Sequence, residues 1–391
     1  MVSSELTPRS RGMRRPLTLL VLSLAVFFTA DYSFFRTGIY ARFVPPVTTA
    51  GRLARFVLDE ENRAPSGAQE VLATGNSKMQ FALWDRLAEE ADPQKRLKII
   101  QGSLEGSSDK RTYYILKKID PTHHRYAAII LSDSPYRISP TPEDLENEYS
   151  TAQVLASVVP PRDWAEFADT FDDPAIRQKV RIQGVFSSRG VGMDLLLSSG
   201  RIIQRIVGGG PTKLLTEAGH PESVLGLRLG PVDRRSLQVV SYPAHFDSFQ
   251  RREAQSYFQS PDRVSAELYT LRSARFHQRW LSKIIDLYRG SPTRLIFVQM
   301  PRWPVELPRT APLSSAPDIR DLLPRQENVT FLDKDEFSYL EDPKYFWDVL
   351  HLNQTGRRLF SQQMGGILRE AIDRSGTKQA HSTLTVPSPP M

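Results

Sequence analysis

Between residues 70 and 333 the chain carries five short apolar runs: EVLATG (70–75), RLKIIQG (96–102), YAAIILS (126–132), TRLIFVQM (293–300) and NVTFLD (328–333). Their lengths and their Val, Ile and Leu content fit strands covered on both faces. Amphipathic stretches lie between or after most of them. SKMQFALWDRLAEE (77–90) puts Met79, Leu83 and Leu87 on one stripe, RTYYILKKI (111–119) follows the second run, VSAELYTLRSARFHQRWLSKIIDLYR (264–289) precedes the fourth, and QTGRRLFSQQMGGILREAI (354–372) comes last. This alternation predicts an α/β layered fold, a five-stranded parallel sheet with right-handed crossovers.

The spacing is regular except once. From the third run to the fourth there are about 160 residues, too many for one crossover. An inserted subdomain is therefore expected at 141–261, rich in turn signals and holding one further strand, SLQVVSYP (236–243). An insertion of this kind is read either as a lid or acceptor-binding element or as a decoration.

The N-terminal pattern is different. Arg9, Arg11, Arg14 and Arg15 precede an unbroken apolar run, PLTLLVLSLAVFFTA (16–30), extended to Phe35 by YSFF. Residues 16–35 are expected as a transmembrane signal-anchor, with the basic tail 1–15 in the cytoplasm and the bulk of the chain outside the cytoplasmic membrane. The competing readings are a cleaved signal, which would set Phe28 at a position that wants a small residue, and a buried soluble helix. Residues 36–66 read as a linker with Pro45–Pro46 as breakers, and 374–391 as a disordered, Pro/Ser-rich tail. The remaining segments, 67–140 and 262–373, form the expected catalytic domain.

Composition narrows the chemistry. With no cysteine among 391 residues, disulfides, Cys-ligated zinc and thiol catalysis are excluded. A net charge of +7 suits an anionic surface, but no basic stripe interleaved with aromatics points to nucleic acid. The run GGGPTK (208–213) lacks the ending of a phosphate loop. His123–His124 is an isolated pair, so no metal site is expected. Asn328-Val-Thr and Asn353-Gln-Thr match the glycosylation pattern.

The sharpest local motif is TGNSKM (74–79), in which a strand ends at Gly75 and a helix opens at or just after Ser77. A serine there lies near free backbone N–H groups, which an oxyanion needs, although serine is also a common helix cap. The second motif is YFWDVLHLNQTG (345–356), with Asp348 and His351 three apart before the final helix. A serine nucleophile requires a base, and the base an orienting acceptor. Both motifs follow carboxyl ends of expected parallel strands, the edge where sites form in open α/β sheets.

GNSKM and DVLHLNQTG resemble the first and last blocks of SGNH/GDSL-type hydrolases. With the N-terminal anchor, they look most like the membrane-bound branch that includes the D-alanyl-lipoteichoic acid transfer protein and the alginate O-acetylation proteins. The resemblance implies a flavodoxin-like three-layer αβα sandwich. It also implies Ser77 as nucleophile, His351 as general base and Asp348 as its orienter, with oxyanion N–H groups from Ser77 and from Gly102 or, preferably, Gly106. Asn76, Ser134 and Arg302 are candidate substrate-binding residues, and Arg302 and Arg309 are read either as holding an anionic acceptor or as ordinary loop cations. Where the family has an asparagine after its third strand, this chain has Ser132, Asp133 and Ser134, which favours a transferase over a vigorous hydrolase. The implied partners are a cell-surface glycan acceptor and a polytopic membrane acyltransferase, with no cofactor. A simple esterase and a non-catalytic glycan-binding assembly component are the alternatives.

Overall fold

The computed structural model describes residues 14–37, 39–42, 48–132, 149–184, 232–233, 238–239, 266–301, 319–347 and 351–382. They divide between two compact units, Met1–Asn62 with Glu146–Gly210, and Arg63–Leu145 with Pro211–Met391.

The first unit begins with helix α1 (Arg14–Asp31), which runs into a wider π turn at Tyr32–Arg36. Pro16–Phe35 is long and apolar enough to cross a membrane, its 20 residues covering ~30 Å. Only 6% of that stretch is buried, so it is not the buried helix of a soluble core. Residues 36–66, read as a linker, hold a second helix, α2 (Thr49–Asn62). The Thr48 hydroxyl caps it by accepting from Gly51 N–H, and Leu53, Ala54, Val57 and Leu58 bury one face. That spacing of four is the signal for the helix, obscured by the nearby prolines.

Among the described residues, this unit also holds three short helices from the expected insertion, α6 (Tyr149–Val154), α7 (Trp164–Asp169) and α8 (Pro174–Gln183), with α6 against α2. Asp173 caps α8 with Pro174 at its first position. Trp164 donates its indole N–H to Val180 O and packs on Phe167, which in turn packs on Phe171. These insertion helices belong with α2 and the apolar helix, not with the sheet. The run 208–213 lies outside the described residues.

The second unit is built on strands β1 (Gln69–Thr74), β2 (Leu97–Gln101) and β3 (Ala128–Ser132). Two-residue strands β4 (Val232–Asp233) and β5 (Gln238–Val239) pair with each other, and β5 is all that is described of the expected 236–243 strand. Then follow β6 (Arg294–Val298) and β7 (Val329–Phe331). The main sheet has five strands, all parallel, in the order β2-β1-β3-β6-β7. The chain leaves β1 in one direction for β2 and returns past it to β3. That reversal opens a crevice at the carboxyl ends of β1 and β3.

Both faces of the sheet are buried, which is why the strands read as continuous apolar runs. Val71, Ala73, Ile130 and Val298 face a core with Met79, Phe360, Met364 and Leu368. The alternate residues Leu72, Ile129, Leu295 and Phe297 are equally buried, as the pleat requires. On the first face lie α3 (Ser77–Ala82), α4 (Asp85–Glu90) and the last helix. Helices α5 (Asp109–Ile119) and α9 (Ala266–Leu287) pack on each other. Asp109 Oδ2 lies 2.5 Å from His277 Nδ1 and joins these two helices.

The stretch 77–90, expected as one helix, is broken at Leu83 and Trp84, both extended. The last helix, α10 (Gln354–Ser382), satisfies the break: Trp84 N–H donates to Ser361 Oγ at 2.7 Å, and Arg357 donates to Leu83 O at 3.3 Å. Helix α10 also passes the boundary at 373 and reaches Ser382, correcting the expected tail. A lone Gly376 does not stop it, because an internal glycine costs only ~1 kcal/mol.

The isolated histidines serve the opposite edge of the sheet. The buried Asp120 carboxylate accepts from His124 N–H, Arg125 N–H and the Tyr288 hydroxyl. Burial, then the Asp120 charge, pushes the Tyr288 phenol well above its ordinary range. His123 gives its carbonyl to Ser291 and Thr293 and its ring to Tyr288. Asn328 donates its amide to Tyr288 O, Ser291 O and Thr293 O. One of the two glycosylation-type asparagines is thus an internal staple.

Candidate active site

The turn after β1 is shaped by Gly75. Its φ is +145°, and a Cβ there would lie 1.8 Å from Ser132 Oγ. A side chain is excluded on both grounds. The ends of the neighbouring strands converge on this turn, with Leu104 N–H donating to Gly75 O and Gly102 N–H to Ala73 O. Asn76, not Ser77, is the cap of α3: its side chain accepts from Lys78 N–H at 3.0 Å. Ser77 therefore stands at the first helical position with its hydroxyl released from capping.

That hydroxyl meets His351. Ser77 Oγ and His351 Nε2 are 3.0 Å apart, across 274 residues of sequence. His351 rides on a small hairpin in which Phe346 pairs with Leu352, Trp347 N–H donates to His351 O, and Asn353 N–H donates to Tyr345 O. Asn353 fixes the base of the hairpin. It donates to Lys344 O and accepts from Thr355 N–H and Gly356 N–H, capping α10. Gly356 is required because a Cβ there would lie 2.6 Å from Tyr345 O. The LNQTG motif is thus the mount of the histidine, and its asparagine is buried instead of presented for modification.

Two aromatic rings flank the imidazole. Phe81 stands edge-on at 5.0 Å and Trp347 lies tilted at 6.0 Å, centroid to centroid. Sequence reasoning missed both, although each sits inside or beside a motif already singled out. The hydroxyl–imidazole distance is that of a hydrogen bond along which a ring nitrogen can take the serine proton.

Of the two oxyanion candidates after β2, Gly102 is eliminated because the sheet uses its N–H. Gly106 is exposed at φ +65° in the following turn, held by Arg111 Nη1 donating to its carbonyl at 2.5 Å. Among the described residues neither the Ser77 nor the Gly106 N–H has an acceptor. Asp348, Ser134, Arg302 and Arg309 lie outside the described residues. The structure therefore brings Ser77 and His351 together and sets Asn76 beside Ser77 as the cap of α3. No family model matches the chain, and no curated protein matches it.

Proposed function

We propose that the chain is a membrane-anchored serine acyl-transfer enzyme of the SGNH type, acting outside the cytoplasmic membrane on a cell-surface glycan. The observation that carries this reading is the 3.0 Å approach of Ser77 Oγ to His351 Nε2. The flavodoxin-like strand order and the position of both residues at the carboxyl edge support it, as does the apolar Pro16–Phe35 helix behind a basic flank.

In the proposed reaction His351 takes the Ser77 proton as Oγ attacks the acyl carbonyl of a donor. The Ser77 and Gly106 N–H groups hold the tetrahedral oxyanion. The leaving group departs with the proton from His351, leaving acyl-Ser77. His351 then takes a proton from an acceptor hydroxyl as its oxygen attacks the ester, and returns that proton to Ser77 Oγ as the second tetrahedral intermediate collapses to the acylated acceptor and free serine. Asp348, three residues before His351, is assigned the orienting role. An acetyl group is the proposed cargo, and a polytopic acyltransferase the proposed donor-side partner.

Labelling with a fluorophosphonate probe tests the nucleophile. The unsubstituted protein is expected to label, Ser77→Ala not at all, and His351→Ala at least ~100-fold more slowly. Full labelling of Ser77→Ala would sink the assignment, and absence of labelling in every form would favour a glycan-binding assembly component. Transfer to an acceptor, as opposed to release of free acid, separates the transferase from an esterase. Carbonate-resistant sedimentation with membranes, lost when residues 1–36 are removed, tests the anchor.

A further inference from the structure

The apolar surface of the first unit does not stop where the span does. Tyr32, Phe34 and Ile39 are 49, 37 and 39% exposed, and they follow directly on the uncovered side chains of α1, Leu20 and Leu24 among them. The 20 residues of Pro16–Phe35 already cover the ~30 Å of a hydrocarbon core. Ile39 therefore falls in the headgroup layer, which adds roughly 5–7 Å on each side. The backbone there is prepared for a poorly hydrated place. At the end of the π turn the Thr37 hydroxyl donates to Ser33 O at 2.6 Å and accepts from Ile39 N–H at 3.4 Å. Backbone groups close to lipid need such partners within the chain.

On its other side the same segment is built into the fold. Asp31 and Tyr40 are buried, and the Phe35 ring packs on Tyr40 with centroids 5.8 Å apart. The π turn meets the short turn Leu155–Ser157 of the insertion, and Ile39–Arg42 meets α2, against which α6 also packs. Leu53 of α2 and Leu155 of the insertion turn are fully covered. The last residue of the span thus touches Tyr40 and leaves no room for a leash. We infer that the first unit is seated directly on a lipid bilayer at the surface where the span ends. Helix α2 and the insertion turn grip the end of the span, and Tyr32, Phe34 and Ile39 reach into the lipid. The inference rests on the reading of Pro16–Phe35 as a membrane span. Continuity with that span selects lipid as the occupant of the exposed side chains, and aromatic rings at this depth suit the headgroup boundary. The described part of the insertion then serves as a collar on the membrane.

Because the chain has no cysteine, single cysteines can carry an environment-sensitive nitrobenzoxadiazole dye. Leu24→Cys, Phe34→Cys and Ile39→Cys are made in the full chain, labelled, and reconstituted into phosphatidylcholine vesicles. Some vesicles contain lipids with a nitroxide near the headgroup, others with a nitroxide deep in the acyl chain. The deep nitroxide should quench the Leu24→Cys dye, and the shallow one the Phe34→Cys and Ile39→Cys dyes, each about twofold. Dyes at the latter two sites as wet as the dye on free cysteine would overturn the seat. Dyes shielded from water yet untouched by either nitroxide would overturn lipid as the occupant and assign the surface to protein. An unquenched Leu24→Cys dye would mean that the span itself fails, and the seat with it. Tyr40→Ala reads the grip separately. Amide exchange in α2 of the reconstituted chain should quicken about a hundredfold, as expected for an emptied aromatic site; an unchanged rate would overturn the grip.

Discussion

At Gly75 a single methyl group meets two obstacles, a backbone at φ +145° and Ser132 Oγ at 1.8 Å. Gly75→Ala is expected to cost about 3 kcal/mol, from strain and overpacking together. Because the turn aims Ser77, it should also abolish fluorophosphonate labelling in whatever protein still folds. Thermal unfolding and labelling on one sample check both. Asn353→Ala removes a cap and a carbonyl partner at once; about 2 kcal/mol of stability should go with it. Asn353→Asp keeps the acceptor and should recover part. The Ser77–His351 pair was legible because two motifs fell at the same strand edge. The work of Asn76 and Asn353 was not, since capping depends on where a backbone N–H points. Asn328 and Asn353 even imitate a modification site, although their side chains are consumed inside the fold.

Elements were easier to read than their ends. All five strands are found within two residues of the apolar runs, because burial on both faces leaves an uninterrupted Val/Ile/Leu signature. The break between α3 and α4 is not legible in the sequence because its cause is 274 to 277 residues away: Ser361 and Arg357 of α10 take the backbone groups that the helix gives up. Close approach makes that exchange feasible. A Cβ on Gly365 would lie 2.3 Å from Ala88 O, so α10 and α4 meet backbone to side. Gly365→Ala is expected to lose about 2 kcal/mol by forcing the helices apart, read as a lower Tm. Gly366, with open space around it, is the control, and Gly366→Ala should be neutral or slightly stabilising. Helix α2 is hidden for another reason: Pro45 and Pro46 lie just before it, and its apolar stripe, Ala50, Leu53, Ala54, Val57 and Leu58, is short and holds two alanines.

For the whole molecule, acid is a sharper probe than heat. Glu70, the second residue of β1, is buried, which opposes its charge, yet hydrogen bonds from Arg63 and Ser66 hold its carboxyl down at about 2. A carboxyl held below its usual 4.5 stabilises the fold fully above that value. The contribution fades as pH falls from about 4.5 toward 2. Its size is about 3 kcal/mol. Glu70→Gln should therefore melt well below the unsubstituted protein at pH 7, with the gap narrowing steadily toward pH 3. A gap independent of pH would assign the loss to packing. The division of the chain into two units was only half legible, because the insertion boundaries show as spacing, but its helices' attachment to α2 shows only in three dimensions.

The 274 residues between Ser77 and His351 also set a clock. Ribosomes deliver roughly 5–20 residues per second, so the serine precedes its base by about 15–55 s during synthesis. Throughout that interval Ser77 is an ordinary alcohol, inert toward any activated acyl compound it meets. On the proposed reading, reactivity would arrive only once the segment after β7 has brought His351 to Ser77 and α10 has packed on α4. In a chain threaded outward behind its first helix, the chemistry would be armed last, after the serine had left the compartment where a premature reaction would do harm.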